Sequence, residues 1–468
     1  MFSFLNCLVI ISALSWLHFA AGQDHCVAEE VITRDVCIIG GGSSGVYAAV
    51  QLLDSGKSVV VVEKENVLGG HTNTYIDPQT NQTVDYGVVA FHDLQIVKDY
   101  FNRLNVSFVV TSSSSVGGLA GGPVSFVDFN TGEIFGNFTP PNPIPGLEAY
   151  AAQQALYPQI QAGFFLPDPV PEDLLLPFGQ FVAKYSNISN ATTTIYQISE
   201  GLGDFLHQPT LYVFKSFGLD VIQDLATGVI TTANSDNHEI YDNALRLLGS
   251  DVLLQSRVVS TDRDSDGVKV VVNTPSGRKI INAKKLLVAI PQQLDNLVGF
   301  DLDARERELF GQFINTGYYT SLVRNTGIPA TLAVTNINPN NSFSLPDLPG
   351  IYKIEPTVIP GVFDIKYGSP TGLPDDFVKA DIIAFLKMLR KNGLASDSGP
   401  EPEFVAFKSH TPYELTVSTD AISAGFYTDL YALQGYRSTY YTGAAFHTQD
   451  SSLLWQFTNS TVLPLLET

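Results

Sequence analysis

The chain has 468 residues, 26 of them Lys or Arg and 47 Asp or Glu, so its formal net charge is −21. Only 16% is charged while 44% is hydrophobic, with 29 Phe and 20 Tyr. That composition excludes a disordered or fibrous chain, and the acidic balance, which repels phosphate backbones, argues against nucleic acid as a partner.

Length divided by about 150 sets a soft expectation of about three domains. The first element in the chain is an apolar run from Phe4 to Ala21 followed by small residues, Ala20, Ala21 and Gly22. Cleavage after Gly22 would leave small residues at −3 and −1, as in a signal peptide over 1–22. The basic n-region is missing, since the first Lys or Arg is Arg34, and an uncleaved anchor is the alternative. Asn6, Ser12, Ser15 and His18 dilute the run and disfavour a stable span. No other stretch is long and apolar enough to cross a bilayer, so the mature chain is expected without a transmembrane span, secreted or in the secretory lumen. Asn-x-Ser/Thr triplets at Asn81, Asn105, Asn137, Asn187, Asn190, Asn340 and Asn459 fit that route and predict N-glycosylation. Cys7 leaves with the signal, and a bridge from Cys37 to Cys26 is not expected because Cys37 sits in a predicted buried strand. No C-x-x-C or H-E-x-x-H pattern offers a metal site.

Next, Asp35–Ile39 is a short apolar run that flows into Gly40-Gly-Gly-Ser-Ser-Gly45. Val46, Ala49, Val50 and Leu53 recur at helical spacing, Gly56 ends the helix, and Ser58–Val62 is a second buried strand closed by Glu63. This is a βαβ unit with G-x-G-x-x-G on Gly40, Gly42 and Gly45. Gly40 permits the tight turn, Gly42 lets backbone approach a pyrophosphate at the helix N-terminus, beside Ser43 and Ser44, and Gly45 lets helix and strand pack closely. Glu63 can accept from both ribose hydroxyls of an adenosine and would repel a 2′-phosphate, which favours FAD or NAD over NADP.

After the acidic cap come Gly69-Gly70-His71 and then Val84-Asp85-Tyr86-Gly87. The chain here resembles the FAD-binding half of the flavin-containing amine oxidase superfamily, in which a Gly pair runs beneath the flavin and an Asp-x-Gly segment follows. His71 stands where that family has Arg, as in desaturase-like members. Val252–Val259, the turn Asp264–Gly267, the strand Val268–Val272 and Lys285–Pro291 continue the resemblance, as does a helix over Asn237–Leu248. In the family the residue matching Val258 meets the adenine. At the C-terminus, Gly435–His447 followed by Thr448–Trp455 is similar to the segment where a helix starting near Ser451 and Ser452 points at the flavin pyrimidine, with Gly443 and Ala444 leaving room for the ring edge. This ending most resembles fungal secreted FAD-dependent oxidoreductases of the β-cyclopiazonate dehydrogenase type.

The resemblance implies an α/β fold: a discontinuous Rossmann-like FAD-binding domain over 33–110, 235–300 and 425–468, with an interleaved α+β substrate domain over 111–234 and 301–424 that carries a mixed sheet. The Gly117–Gly122 stretch reads as a loop, apparent strands lie at Ala330–Val334, Gly350–Ile354 and Val362–Tyr367, and an amphipathic helix spans Asp376–Lys391. With no second G-x-G-x-x-G for NADPH, the expected chemistry is oxidation of an organic substrate by hydride transfer to FAD, with O2 or another acceptor reoxidising the flavin. Candidate pocket groups are Tyr440 and Tyr441 (a cage, or alternating strand residues), Phe446, His447 (an acid/base group, or a surface or cap residue) and His92 (an acid/base group, or a structural hydrogen-bonder). No residue matches the Lys that holds water at the flavin in many amine oxidases, and Lys353 and Lys366 are the nearest candidates. Two activities stay open. One is oxidation or oxidative cyclisation of a small hydrophobic natural product, an alkaloid or terpenoid, in secondary metabolism. The other is a secreted oxidase of small amines, amino acids or prenyl-thioethers releasing peroxide, which predicts Arg324 or Arg437 aimed into the cavity.

Overall fold

The computed structural model describes residues 30–113 and 122–468. The expected signal segment, Cys26 and most of the Gly117–Gly122 loop lie outside the described residues. Strands β1 (Glu30–Ile39) and β2 (Val59–Val62) flank the helix Ser43–Asp54. After them come the hairpin of β3 (Thr74–Ile76) and β4 (Thr83–Asp85), then β5 (Phe108–Thr111), β6 (Val124–Asp128), β7 (Glu133–Ile134) and β8 (Val229–Thr232). Next are β9 (Val252–Leu253), β10 (Arg257–Arg263), β11 (Val268–Thr274) and β12 (Gly277–Val288). The rest are β13 (Ile314–Arg324), β14 (Ala333–Asn336), β15 (Gly350–Pro356), β16 (Val362–Ser369), β17 (Glu403–Ser409), β18 (Tyr413–Thr416) and β19 (Thr439–Tyr441).

One sheet runs β10-β11-β12-β1-β2-β9, with β19 joined to the end of β12. β12, β1, β2 and β9 are mutually parallel, and β10 and β11 add an antiparallel meander. Val36–Ile39 lie between Val59–Val62 and Lys285–Val288, and both faces of β1 are covered there, which explains an uninterrupted apolar run. Each of Val59 to Val62 is almost fully buried, a contribution of roughly 1.5–3 kcal/mol per side chain. The strand starts at Glu30 rather than Asp35 because its polar half pairs with Lys279–Ala283 of β12. Cys37 is a buried free thiol in this strand.

The second sheet runs β17-β13-β16-β15-β14-β6-β7, with β18 on β13. It is mixed, because β14 and β6 are parallel and its other pairs antiparallel. The helix Asp375–Lys391 buries Val378, Ile382, Leu386 and Leu389 in the cluster holding Val323, Ile354 and Ile365. Between β7 and β8, where prolines cluster at Pro140–Pro143 and Pro167–Pro171, the chain makes short helices. Their Tyr150, Phe178, Phe181 and Phe214 belong to the same core cluster as β1 and β2. No helix among the described residues is long and apolar enough to cross a membrane.

Candidate cofactor and substrate cavity

A cavity of about 550 Å³ opens where β1 meets the helix Ser43–Asp54. Gly40 leaves the strand at φ +109, which favours glycine. A Cβ on Gly45 would lie 2.0 Å from the Gly40 carbonyl oxygen, so this glycine serves close helix–strand packing and does not line the cavity. Gly42 does line it; a Cβ there would meet only the Gly70 Cα, at 3.8 Å. The first helical bond is Val46 N–H to the Gly42 carbonyl, 3.0 Å, so the N–H groups of Ser43 and Ser44, both lining the cavity, have no helical partner. That turn is a ready anion cradle.

Glu63 also lines the cavity. Its carboxylate is fixed by the N–H groups of Gly41 (2.6 Å) and Glu65 (2.8 Å), which leaves lone pairs for further donors. Val258 and Ser256 form the wall beside it, and Gly69, Gly70 and His71 form the floor. Behind that floor, Asp85 accepts from the Thr74 hydroxyl and from Asn237 N–H (2.9 Å); burial pushes its carboxyl up to about 8. A Cβ on Gly87 would sit 2.0 Å from the His71 carbonyl oxygen, so the Asp-x-Gly segment needs its glycine to support the turn.

The C-terminal segment closes the cavity with Gly443, Ala444 and Ser451. Gly443 has φ +111 and nothing within 4 Å of where its Cβ would be. The helix Ser451–Phe457 is capped by Asp450, which accepts from Leu453 N–H at 2.8 Å. Ser452 differs from its expected role. It turns away from the cavity and accepts the His92 N–H at 3.0 Å, while its neighbour Ser451 faces the space.

The four expected catalytic side chains lie outside the cavity. Tyr440 and Tyr441 are strand residues of β19, opposite Leu287 and Val288. The Lys285 ammonium lies over the Tyr440 ring, and the Tyr441 hydroxyl donates to Glu306 at 2.8 Å in a fully buried network around Arg263. Sheet register, not a substrate cage, dictates both. His447 is buried, donating Nε2–H to the Gln161 carbonyl (2.8 Å) while Nδ1 faces the Lys215 ammonium at 3.3 Å. Burial and Lys215 push it well below the usual imidazole range, and burial brings Lys215 itself down to about 7. His92 is clamped between Asp224 and Asp450, the latter 3.3 Å from Nε2. Burial opposes its charge, but the two carboxylates outweigh it and hold the imidazole well above its ordinary value. These are structural pairings.

The lysine and arginine candidates are engaged elsewhere too. Lys353 pairs with Glu200 and Glu355, and Lys366 pairs with Asp364 and donates to the Tyr86 carbonyl (2.7 Å). Arg437 pairs with Asp301, and Arg324 lies 3.8 Å from Glu403. None of these four lines the cavity.

What the sequence missed is the wall contributed by the end of β17. Lys408, Ser409, His410, Thr411 and Pro412 line the cavity with Leu415, opposite His71 and Asn73. The rings of His71 and His410 stack at 4.3 Å with 12° between planes. No motif marks this stretch.

The residues present fit a dinucleotide. A glycine cradle with unpaired N–H groups sits beside an acid held for hydroxyls, and Thr72, which lines the cavity, keeps a buried Oγ1 with no protein partner. Among the described residues no group of His, Cys, Asp or Glu could hold a metal ion.

Comparison with known proteins agrees with this geometry. Residues 38–104 match the NAD(P)-binding Rossmann-like domain family. The chain is 43% identical over 454 residues to an FAD-dependent oxidoreductase of Cochliobolus heterostrophus, covering 94% of this chain and 92% of that one. It is 40% identical over 473 residues to an FAD-dependent oxidoreductase of Monascus ruber, covering 98% and 99%. β-Cyclopiazonate dehydrogenase of Aspergillus oryzae is 35% identical over 454 residues, covering 96% of each. Among solved structures, the conjugated-linoleic-acid-producing fatty acid isomerase of P. acnes superposes with a TM-score of 0.71 at 17% identity, covering 92% of this chain and 98% of that one. A redesigned putrescine oxidase does so with a TM-score of 0.66 at 17% identity, covering 94% and 100%. These two share the fold.

Proposed function

The chain belongs to the fungal FAD-dependent oxidoreductases, and from that premise we propose that it dehydrogenates or oxidatively cyclises a hydrophobic natural product, of alkaloid or terpenoid type, in the secretory pathway. When bound, the flavin supplies a two-electron, hydride-accepting ring. The protein's part is to hold the dinucleotide by the Gly40–Gly45 turn and Glu63, to leave room at Gly443 and Ala444, and to place the substrate against the His71–His410 wall while keeping water out.

The observation that carries this reading is the character of that wall. Thr72, Asn73, Val88, His410, Pro412 and Leu415 include no acid. The acids lining the cavity belong to its other end: Glu63 and Glu65 after β2, and Asp295 in the turn whose Gly299 packs on Val259. An amine oxidase site would need an anion or cage facing the ammonium group; here Tyr440 and Tyr441 lie elsewhere. The two arginines expected for a carboxylate substrate, Arg324 and Arg437, are paired away from the cavity. One relative is named as a dehydrogenase of β-cyclopiazonate, which supports dehydrogenation as the reaction type. The secretory route is supported by exposure of the asparagine in all seven glycosylation triplets.

The test is anaerobic bleaching of the purified yellow protein. Bulky alkaloids or terpenoids should reduce the flavin and small amines should not; bleaching by small amines alone would reverse the assignment, and a colourless protein would end it.

A further inference from the structure

His410 and His71 form a flat wall with an unusual property: the acceptor atom of one ring is defined. His410 Nε2 lies 3.1 Å from Asn73 Oδ1, the contact made by the tautomer that carries its proton on Nε2 and donates it to the amide oxygen. Nδ1 then carries a lone pair, and no protein group among the described residues donates to it, although the ring lines the cavity. The backbone fixes the ring as well, because His410 N–H donates to the Tyr318 carbonyl at 2.9 Å. His71 stacks on one face, while the Tyr318 ring stands 6.0 Å away at 51° and the Tyr413 ring lies 6.1 Å from His71.

We propose that His410 is a specificity-determining residue, whose Nδ1, at the edge of the ring stacked on His71, reads a hydroxyl or N–H donor that a planar substrate presents in the plane of the His410 ring. The proposal deepens the substrate reading above and rests on it. It commits to a chemical class, a flat aromatic or enolic compound carrying a ring O–H or N–H. A ring that lacks the donor would leave a desolvated acceptor unpaired, which costs more than the hydrogen bond itself gains.

The surroundings keep this acceptor available. Burial disfavours a charge on His410, and His71, Lys366 and Lys408 push in the same direction, so the imidazole lies well below its ordinary range. His71 is likewise lowered by burial and by Lys64, to about 4. Lys408 lines the cavity two residues before His410 and makes no ion pair with any described residue. The groups facing His410 are therefore His71 from the Gly-Gly-His turn, Lys366 from β16, Lys408 from β17 and the ring of Tyr318 from β13, with Tyr413 of β18 behind Tyr318 and His71. No carboxylate among them would draw a proton onto Nδ1. A neutral, tautomer-fixed histidine is thus an acceptor across the neutral range and fails as one only in acid.

Binding of 2-naphthol and of its methyl ether to the holoenzyme, followed by calorimetry, tests this directly. The wild-type protein should prefer the naphthol by at least about tenfold, the size of one buried hydrogen bond. His410→Phe, which keeps a flat ring without the lone pair, should erase the preference, and His410→Gln, whose amide oxygen can accept, should restore part of it. Equal binding of the two probes by the wild type overturns the proposal without any variant, as does a preference that survives in His410→Phe. Flavin absorbance read in the same samples separates this outcome from failure of the functional assignment: a yellow protein without the preference loses only the role of His410.

Discussion

The Glu63 carboxylate receives the backbone N–H of Gly41 at 2.6 Å, so the acid that ends the second strand also shapes the turn that leaves the first. The two halves of the cofactor cradle are one hydrogen-bonded object.

The cradle can be blocked without breaking the fold. Gly42 has φ −80, which any residue adopts, and its Cβ direction meets only Gly70 across the cavity. Gly42→Val should therefore fold with an unchanged circular dichroism spectrum and lose flavin on gel filtration. Full retention of the yellow colour would refute the assignment of this turn to the pyrophosphate.

A second prediction separates structure from chemistry at Tyr441. Arg263 and Glu306 have fully buried side chains and pair through both guanidinium nitrogens, at 2.8 and 2.9 Å. Glu306→Ala leaves that guanidinium with one carboxylate, Asp301 at 2.7 Å from Nε, and should cost about 3 kcal/mol in denaturant unfolding. Tyr441→Phe removes the hydroxyl's bonds to Glu306 (2.8 Å) and from Arg263 (3.5 Å) but leaves the ion pair, and should cost only about 1 kcal/mol, with substrate oxidation intact. A large loss of turnover in Tyr441→Phe would return that residue to the active site.

The His92 clamp predicts a pH dependence. The imidazole is held above its unfolded value of about 6.5, so its stabilisation is complete below that pH and is lost as pH rises through the raised native value. His92→Gln should therefore destabilise the protein more at pH 6 than at alkaline pH, measured by thermal unfolding in matched buffers. An equal cost at both would mean that the ring is neutral in the clamp. Because Asp450 caps the helix Ser451–Phe457, the variant should also weaken flavin retention.

The proposed secretory route makes a gel-level prediction. Every one of the seven triplet asparagines is exposed, including Asn81 and Asn105 at turns of positive φ. Protein from its native host should shift to higher mobility on treatment with peptide N-glycosidase, and Asn→Gln changes should remove the shift stepwise. No shift from any of the seven would argue against the secretory route.

Much of the architecture was legible because local pattern and global fold agree there. Val36–Ile39, the glycine turn and Val59–Val62 announce a parallel unit, and the helix Asp375–Lys391 follows its apolar spacing within one residue. The hairpin at Asp264–Gly267 was visible from its turn chemistry, with Asp264 Oδ1 accepting the N–H groups of Asp266 and Gly267. The site was legible only where backbone chemistry fixes residue type, as at Gly42 and Glu63. Tyr440, Tyr441, His447 and His92 have reactive side chains near cofactor motifs, but strand alternation and buried partners claimed them. His410 and Lys408 could not be found, because their place in the cavity wall comes from the second sheet abutting the first, and no sequence spacing encodes that meeting. The short helices between β7 and β8 escaped for a related reason. Their Phe and Tyr bury against a core already built by other segments, which leaves little periodicity of their own.

The cavity takes its floor from Gly40, Gly42–Ser44 and Gly69–His71 and its closing edge from Gly443, Ala444 and Ser451, at the opposite end of the chain. During synthesis the first βαβ unit emerges early, but β19 and the helix Ser451–Phe457 cannot dock until almost all of the sequence has left the ribosome. Cofactor capture is thus a late event in biogenesis. A nascent chain stalled before Gly443 would present an open, flavin-free shelf, so flavin occupancy would report that translation had run past this point.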